Sequence, residues 1–375
     1  MQTRGAVIRQ APGEYEVVDL ELEDPRPGEI QVELAASGLC HSDDHMATGD
    51  LTAGIYPFAG GHEGAGVVTA VGLNTRGFRE GDHVVLAVPG CGHCTWCASG
   101  RQNLCQYGQY TLAGHRFDDP SSFRLSLDGQ PVGQMCGIST FVATTTVDVM
   151  SAVKIDPSIP LDVASLVGCG VATGWGSAVI SAGVSPGDTV IVMGIGGIGI
   201  NAVQGAAHAG AMNVIAVDPV GFKLETAQAM GATHAVSSIE EAADLARSMT
   251  DGQGADSAIV TVGVTTGDHV AAAFAGVRKD GTVVVTGLGD HGAVGVPIPL
   301  SELTLFQKKL VGSLFGASSP GVSIPKLLGL YQAGALQLDE LITTRYSLDD
   351  VAQGYRDMHA GSNIRGLIDY TATRP

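Results

Sequence analysis

The chain has 375 residues, 45% of them hydrophobic, and it contains 53 glycines. This length exceeds what one hydrophobic core usually supports, so we expect two domains of a glycine-rich α/β protein. The formal net charge is −18 and the sequence contains no block of Lys and Arg. Nucleic acid is therefore an unfavourable partner, because phosphate binding needs clustered positive charge.

The N-terminal residues contain no apolar core long enough for a signal peptide. Residues 189–217 lack Asp, Glu, Lys and Arg and are long enough to cross a bilayer. Six glycines, together with Gln204, His208 and Asn213, interrupt this stretch. They favour a buried strand, a glycine turn and a core helix over a membrane span. We therefore expect a cytoplasmic protein that makes no membrane contact.

The first 150 residues contain short strand-like runs that Pro and Gly separate from one another. Such a pattern predicts a compact, barrel-like β unit. A helical pattern follows at residues 164–181. The strand-like runs are residues 6–8, 30–34, 66–71 and 83–86.

From residue 189 onward, strands alternate with helices, which predicts right-handed βαβ units on a parallel sheet. The last sixty or so residues have no nucleotide-binding motif. They either extend the sheet domain or return to the first domain. The predicted elements of the alternating part are 190–193, 198–209, 214–217, 222–230, 257–261 and 282–286, and those of the last part are 325–332, 346–359 and 365–369.

Seven cysteines are present, and four of them form the pattern C-x₂-C-x₂-C-x₇-C. An odd number without a secretory signal argues against a disulfide framework and favours reduced thiolates that bind metal. Four thiolates can close a tetrahedral shell around Zn²⁺ with no open position, as in a structural site. An iron–sulfur cluster is the alternative, because clusters also use four cysteines. The four residues are Cys91, Cys94, Cys97 and Cys105.

A second group of candidate metal ligands, Cys40, His62 and Cys169, is spread along the chain. Two thiolates and one imidazole would leave the fourth position of a zinc ion open to water or substrate, as in catalytic sites. The alternative for Cys169 is a small core residue, since unpaired cysteines are usually buried. Asp43 is a candidate hydrogen-bond acceptor that orients His62, or else a helix cap.

The predicted strand at residues 190–193 runs directly into the sequence G-x-G-x-x-G. An acidic residue, Asp218, ends the next predicted strand about twenty residues later. Glycines let a pyrophosphate approach the helix N-terminus, and the carboxylate can accept hydrogen bonds from the adenosine ribose. A carboxylate there repels a 2′-phosphate, so NAD is favoured over NADP. The residues of this loop are Gly194, Gly196, Gly197, Ile198 and Gly199.

Together and in this order, these motifs resemble the zinc-containing alcohol dehydrogenases of the medium-chain dehydrogenase/reductase superfamily. The resemblance covers nearly the whole chain and includes Ile138-Ser-Thr-Phe, Ala172-Thr-Gly-Trp-Gly-Ser-Ala-Val and Asn363-Ile-Arg. The four-cysteine segment is most similar to the dimeric class that includes liver-type and glutathione-dependent formaldehyde dehydrogenases. The chain is also similar to the actinobacterial nicotinoprotein branch, which is assayed with nitrosoaniline electron acceptors and keeps NAD bound.

The resemblance implies an α/β fold with a doubly wound, parallel Rossmann sheet domain and a mainly β, GroES-like catalytic domain. The implied catalytic domain is 1–170, with a structural-zinc lobe at 91–105. The NAD-binding domain would be 171–314, and 315–375 would return to the catalytic domain. We expect a homodimer or homotetramer, in which an apolar strand at 310–315 or 282–286 pairs across a two-fold axis.

The resemblance also implies a role for each candidate site residue. Cys40, His62 and Cys169 would hold a catalytic zinc, with Glu63 close by as a transient or outer ligand. The four clustered cysteines would hold a structural zinc. The remaining implied roles are proton relay for Ser42 and His45, pyrophosphate contact for His41 and Arg365, and ribose contact for Asp218 and Lys223.

The implied reaction is hydride transfer between NAD and a primary or secondary alcohol, or the corresponding aldehyde or ketone. Zinc would stabilise the alkoxide form of the alcohol, while Ser42 and His45 would carry away the proton. A thiol-adduct formaldehyde dehydrogenase is the nearest alternative enzyme, and a zinc-free quinone or enoyl reductase would lack both groups of metal ligands. A non-catalytic, zinc- and nucleotide-binding redox sensor would have no need of the relay.

Overall fold

A computed structural model of the protein describes residues 1–371. In this part of the chain two compact units form, and each has its own hydrophobic core. The first unit contains Met1–Cys169, Ser318–Gly334 and the segment that begins at Leu338. The second unit contains Gly170–Ala317 and Ala335–Gln337. Most of the C-terminal segment therefore belongs to the first unit.

The strands of the described chain are short, and their order in the sheets differs from their order in the sequence. The strands before the second unit are β1 (Gln2–Ile8), β2 (Glu16–Leu22), β3 (Glu29–Gly38), β4 (Phe58–Ala59), β5 (Gly64–Val71), β6 (His83–Leu86), β7 (Leu125–Leu127), β8 (Gln130–Gln134), β9 (Thr144–Asp148) and β10 (Ala152–Lys154). The strands of the second unit are β11 (Thr189–Met193), β12 (Asn213–Val217), β13 (His234–Val236), β14 (Ala255–Val260), β15 (Val277–Val285) and β16 (Lys309–Gly312). The first unit then adds β17 (Ile342–Tyr346) and β18 (Arg365–Asp369).

The helices are also short, and a π-helical turn at Ser177–Ala182 and several 3₁₀ turns accompany them. The first unit begins with α1 (His41–Thr48), α2 (Thr95–Ala98) and α3 (Leu161–Ser165). The second unit contains α4 (Gly170–Gly176), α5 (Gly199–His208), α6 (Gly221–Ala229), α7 (Ile239–Met249), α8 (Gly267–Gly276) and α9 (Leu300–Leu305). The first unit ends with α10 (Pro320–Gln332) and α11 (Val351–His359).

Two β sheets build the first unit. Strands β1, β2, β7, β8 and β4 close into a barrel, and the second sheet has the order β10-β6-β5-β3-β18-β17, with β9 paired to β3. Alternate residues Ile30, Val32 and Leu34 of β3 are fully buried, as expected when one face of a strand meets the core. The predicted barrel-like β unit is confirmed.

The second unit is built on a sheet with the order β13-β12-β11-β14-β15-β16, in which neighbouring strands are parallel. Strand β11 is buried along its length, as expected when helices cover both faces. The chain passes from β11 to β12 on one side and later places β14 on the other side. Ligands of such sheets bind at the carboxyl ends of the strands near this reversal. The predicted doubly wound α/β fold is confirmed.

The charge-free stretch 189–217 consists of β11, α5 and β12, in agreement with the interpretation from its glycines. No single helix within residues 1–371 is long and apolar enough to span a membrane. The stretches Leu161–Gly168 and Gly170–Ala182 meet the test of length and composition only together, as a bent pair.

The helix predicted at 346–359 is wrong at its start. Tyr346 ends β17, and α11 begins only at Val351 after a 3₁₀ turn. In that turn the Ser347 hydroxyl donates to Asp350, with 2.6 Å between Oγ and Oδ2. Local side-chain bonds of this kind stabilise a turn at the expense of helix.

Several further predicted elements have different bounds in the structure, among them β1, β3 and β15, which are longer than predicted. Helix α10 begins at Pro320, five residues before the predicted start, because proline suits the first helical turn, where its missing N–H is no loss. The strand predicted at 310–315 is β16, which ends at Gly312. A 3₁₀ turn at Phe315–Ala317 follows it.

Candidate functional site

Cys40, His62 and Cys169 lie together in the first unit, although long stretches of chain separate them. Cys40 precedes α1, His62 lies just before β5, and Cys169 follows the 3₁₀ turn Leu166–Gly168. One ligand atom from each residue lies within 4.8 Å of the others, and His62 Nε2 is 3.2 Å from Cys169 Sγ. All three side chains are buried. The structure therefore brings the three dispersed candidate ligands into one group.

These three donors fit a zinc ion. Bond lengths of about 2.3 Å to sulfur and about 2.0–2.1 Å to nitrogen give donor separations of roughly 3.3–3.8 Å in a tetrahedron. The three ligand atoms lie close enough together for such an ion. The hydrogen bond from Cys169 holds the pKa of the Cys40 thiol well below its ordinary value. One sulfur of the pair is thus ready to bind metal as a thiolate.

Asp43, in α1, contacts the other ring nitrogen of His62. Its Oδ2 lies 2.9 Å from His62 Nδ1, and its Oδ1 accepts a hydrogen bond from the Gly61 N–H over 2.6 Å. Burial alone would lower the pKa of His62, but Asp43 and the neighbouring thiols raise it well above its ordinary value. In this arrangement Nε2 is the ring atom available to a metal ion.

Glu63 and Arg365 form a buried ion pair in the first unit. Arg365 Nε lies 3.0 Å from Glu63 Oε1, and Arg365 Nη2 bonds the second carboxylate oxygen. The separate roles implied for the two residues did not predict this pair. Within residues 1–371, the ligand group of Cys40, His62 and Cys169 does not include Glu63. The carboxylate of Glu63 neutralises Arg365 in this structure.

The four clustered cysteines also gather around one point. Their sulfur atoms lie within 4.8 Å of one another, which fits a single ion better than a cluster of several irons. The Cys91 N–H donates to Cys105 Sγ and the Cys94 N–H to Cys91 Sγ, each over 3.2 Å. Backbone N–H groups of Cys97 and Gln106 lower the pKa of Cys94 to about 6. Its thiolate, the form that binds zinc, is therefore favoured at neutral pH.

Ser42 and His45 lie in α1, the helix that follows Cys40. Ser42 Oγ is 3.9 Å from Cys40 Sγ. His45 is buried, and its Nδ1 is 2.8 Å from Asp50 Oδ2. Its other nitrogen, Nε2, has no hydrogen-bond partner within residues 1–371. Asp50 was not among the predicted site residues, although an acidic residue directly after the glycine that ends α1 was a usable signal.

His41, the other histidine implied at the site, is the first residue of α1. Its ring centroid lies 6.5 Å from that of His45. Burial lowers the pKa of His41, which favours the neutral imidazole. A neutral ring can donate one hydrogen bond to a phosphate but adds no full positive charge.

The glycine loop of the second unit joins β11 to α5. A Cβ atom on Gly199 would lie 1.8 Å from the carbonyl oxygen of Gly194. The helix can therefore start this close to the strand only with glycine at position 199. The N-terminus of α5 is left beside the loop, where helices commonly bind phosphate groups.

Asp218 directly follows β12 and lies at the glycine loop. Its carboxylate accepts hydrogen bonds from the N–H groups of Ile195, over 2.8 Å, and Val220, over 3.0 Å. The structure thus brings the predicted ribose acceptor to the predicted pyrophosphate loop. Lys223, the other implied ribose contact, lies in α6 and is half-buried.

Comparison with known proteins agrees with this arrangement. Residues 26–157 match the alcohol dehydrogenase GroES-like domain, and residues 197–331 match the zinc-binding dehydrogenase family. An NDMA-dependent alcohol dehydrogenase from Amycolatopsis methanolica is 50% identical over 373 residues, covering 99% of this chain and 100% of that protein. The chain belongs to the zinc-containing alcohol dehydrogenases of the medium-chain dehydrogenase/reductase superfamily.

Other members of the family show the same similarity along the whole chain. Alcohol dehydrogenase B of Mycobacterium tuberculosis is 45% identical over 372 residues and covers 99% of both chains. A crystal structure of an alcohol dehydrogenase zinc-binding domain protein from Burkholderia ambifaria is 31% identical, covers 98% of this chain and 99% of that chain, and has a TM-score of 0.92. Membership makes this chain an oxidoreductase that acts on alcohols with zinc and a nicotinamide cofactor. The comparisons favour this function over a zinc-free reductase, a redox sensor and a thiol-adduct dehydrogenase.

Proposed function

We propose that the chain transfers hydride between NAD and a primary or secondary alcohol, or the corresponding aldehyde or ketone. The supporting observation is the buried group of Cys40, His62 and Cys169, whose three donors leave a fourth tetrahedral position for the substrate. Zinc held there supplies Lewis acidity, which lowers the pKa of an alcohol hydroxyl and eases the loss of hydride from its carbon.

The neighbouring side chains have proposed tasks that combine their observed contacts with the roles that the family resemblance implies. Asp43 orients His62 through its contact with Nδ1. Ser42, beside Cys40, accepts the proton of the alcohol and passes it toward His45. Glu63 holds the Arg365 guanidinium in place, and Arg365 and His41 would have the pyrophosphate-binding roles that the family resemblance implies.

We propose NAD rather than NADP as the cofactor, because the Asp218 carboxylate lies at the glycine loop and would repel a 2′-phosphate. Replacing Asp218 with Ala removes this charge, so we expect it to weaken NAD binding and to narrow the preference over NADP. The measurement is isothermal titration with each cofactor on the wild-type and variant proteins, after removal of any bound dinucleotide. A wild-type protein that binds NADP as tightly as NAD would contradict the proposal.

We also propose two zinc ions per chain, one in each ligand group, and a cytoplasmic location. The seven cysteines are all unpaired, which supports a reducing compartment because secreted proteins of this kind usually form disulfides. Metal analysis by mass spectrometry checks the zinc count. About one zinc per chain in fully active protein would contradict the proposed pair of sites.

The NDMA-dependent relative supports a further proposal, that NAD stays bound and an external acceptor regenerates it. A dinucleotide held at the glycine loop and Asp218 would take up hydride from the alcohol and then give it to the acceptor. Denaturing the purified protein and assaying the supernatant should release near-stoichiometric dinucleotide. Release of none, together with turnover that depends on added NAD, would show that the cofactor exchanges.

The activity itself is tested with a panel of aliphatic and aromatic alcohols, using either NDMA bleaching or added NAD as the readout. We expect turnover in at least one of the two assays, and it should not require a low-molecular-weight thiol. Strict dependence on such a thiol would favour the formaldehyde-type dehydrogenase. Absence of turnover with every alcohol, in protein shown to hold zinc and NAD, would contradict the proposed function.

We propose that the chain is a homodimer or homotetramer that pairs through β16. This strand forms an edge of the sheet of the second unit, whereas β15, which contains 282–285, lies between β14 and β16. Apolar side chains near this edge are exposed, including Leu305 at 75% and Leu310 at 37%. Edge strands with such side chains tend to pair with another chain. Leu310→Lys should lower the mass measured by light scattering, and an unchanged oligomer would argue against this edge.

A further inference from the structure

His45 is buried, but it is connected to the surface through one contact. Its side chain is 2% exposed, whereas that of its partner Asp50 is 33% exposed. The link is the 2.8 Å distance between His45 Nδ1 and Asp50 Oδ2. A buried imidazole and a solvent-accessible carboxylate thus form a pair that reaches from the interior to the surface of the first unit.

The chain ends α1 in a way that holds Asp50 beside His45. Gly49 adopts φ 92°, a left-handed conformation that favours glycine and reverses the chain after Thr48. The Leu51 N–H then donates to the His45 carbonyl oxygen over 3.0 Å. The Thr48 hydroxyl donates to Asp50 Oδ2 over 2.9 Å. These bonds fix the carboxylate as an acceptor directed at Nδ1.

The two hydrogen bonds from His45 and Thr48 lower the pKa of Asp50, with that from His45 the larger cause. Asp50 therefore stays ionised and can only accept hydrogen bonds. An imidazole that donates its Nδ1 proton to this carboxylate has a bare Nε2, which can accept a proton. That nitrogen is buried and has no partner in the described chain.

We propose that Asp50 is a positioning residue of the proton relay, which fixes the Nδ1–H form of His45 and stabilises the imidazolium that forms when Nε2 takes a proton. This inference rests on the proposed function. In the step, an O–H bond of the donor hydroxyl breaks as the Nε2–H bond forms, and no electrons move between molecules. The carboxylate offsets the new positive charge on the ring, as the acid of a Ser-His-Asp triad does.

If the His45–Asp50 pair had only a structural role, Asp50→Asn would leave kcat unchanged and would change the free energy of unfolding only slightly. Ion pairs with a solvent-exposed partner contribute little to the free energy of unfolding. Another pair on α1 provides a matched control, since Asp44 Oδ2 lies 2.7 Å from His359 Nε2. The other titratable ring known to face His45 is His41, which is unchanged in every variant used below.

The test compares Asp50→Asn, Asp50→Glu and the control Asp44→Asn in zinc-loaded protein that contains its cofactor. We expect Asp50→Asn to lower kcat about 10- to 100-fold with little change in KM, and to enlarge the solvent deuterium isotope effect. Asp50→Glu should recover part of the loss. Asp44→Asn should keep kcat near that of the wild type and change the melting temperature only slightly, since His359 is exposed.

A second variant, Asp50→Gly, and a measurement of the His45 ring proton examine the role of the carboxylate independently of kcat in Asp50→Asn. Added formate, with chloride as the ionic control, should restore turnover to Asp50→Gly, because the carboxylate position is open to solvent. The proton NMR signal of the His45 Nδ1–H should be present in the wild type and lost in Asp50→Asn. Wild-type kcat in Asp50→Asn, or equal losses in Asp44→Asn, would overturn the inference. A wild type that oxidises no alcohol would instead reject the proposed function, while the NMR signal would still test the pairing.

Discussion

The two groups of metal ligands in the first unit are built in different ways. Cys91, Cys94, Cys97 and Cys105 lie in one short segment around α2, and most of them are partly exposed. Cys40, His62 and Cys169 are fully or nearly buried and come from three distant parts of the sequence. Their surroundings differ as well. Backbone N–H groups surround the clustered sulfurs, whereas buried charged side chains surround the dispersed group.

The difference shows what each group can do. Four thiolates complete a tetrahedron, so the clustered group can hold an ion but offers it no further ligand position. Three donors leave one position, and the buried carboxylate of Asp43 orients His62 from behind. We therefore expect changes near the dispersed group to alter turnover, and changes near the clustered group to alter stability.

The largest effect is expected from His62→Ala, which removes one of the three donors. Turnover should fall at least about a thousandfold, because Lewis-acid catalysis contributes several kcal/mol to the lowering of the barrier. Zinc should fall from about two ions per chain to about one. Steady-state assays and metal analysis check both, with His234→Ala as the control. Near-normal turnover in a variant of confirmed zinc content would show that the dispersed group takes no part in catalysis.

A smaller loss of turnover is expected from Asp43→Asn, which keeps the shape of the side chain but removes its charge. Partners of metal-bound histidines typically account for a factor of about 10 to 100 in metal affinity or activity. Chelator competition and kcat measure the two quantities, and Asp162→Asn serves as a surface control. If metal affinity and kcat both matched those of the wild type, the 2.9 Å contact of Asp43 with His62 would have no role in metal binding or catalysis.

A substitution in the clustered group should lower the thermal stability of the protein. Cys94→Ser is expected to lose the zinc of the lobe and to melt several degrees below the wild type, because a structural metal stabilises the fold that binds it. At low temperature, kcat should stay close to that of the wild type. Differential scanning calorimetry and assays below the transition provide the measurements. If Cys94→Ser had a normal melting temperature but no turnover, the clustered group would serve catalysis and not stability.

The smallest effect is expected from Trp96→Ala in the same lobe. Trp96 is 42% exposed and lies under Arg101, whose Cζ is 5.1 Å from the ring centroid. An exposed cation–π contact of this kind is worth about 1 kcal/mol or less. Denaturant titration should show a loss of that size, with unchanged turnover. A marked fall in kcat would mean that the surface of the lobe takes part in catalysis.

Sequence spacing could predict the clustered group, because its members are neighbours along the chain. The dispersed group required the family resemblance, since His62 and Cys169 are 107 residues apart and spacing at that range says nothing about distance. The ion pair of Glu63 with Arg365 was not predicted for the same reason. The His45–Asp50 contact depends on the left-handed conformation of Gly49, between α1 and Asp50. A glycine that ends a helix is a usable sequence signal, but it was not used to predict this contact.

Some elements of the fold could likewise be predicted from the sequence, and others could not. The parallel sheet was predicted because strands alternate with helices from residue 189 onward. Its buried strands, such as β11, are continuous apolar runs, as expected for such a sheet. Strands with exposed, charged faces were missed, among them β2, whose sequence EVVDLEL buries only two of its residues fully. The end of β17 was taken for helix because its polar sequence ITTRY has no apolar alternation.

In the active protein, we expect one zinc ion to lie among Cys40 Sγ, His62 Nε2 and Cys169 Sγ. Anomalous diffraction at the zinc edge, from crystals of protein whose turnover has been measured, locates each ion directly. We expect a peak among these three atoms and a second peak among the four clustered sulfurs. Fully active crystals with a peak in the lobe alone would contradict this expectation.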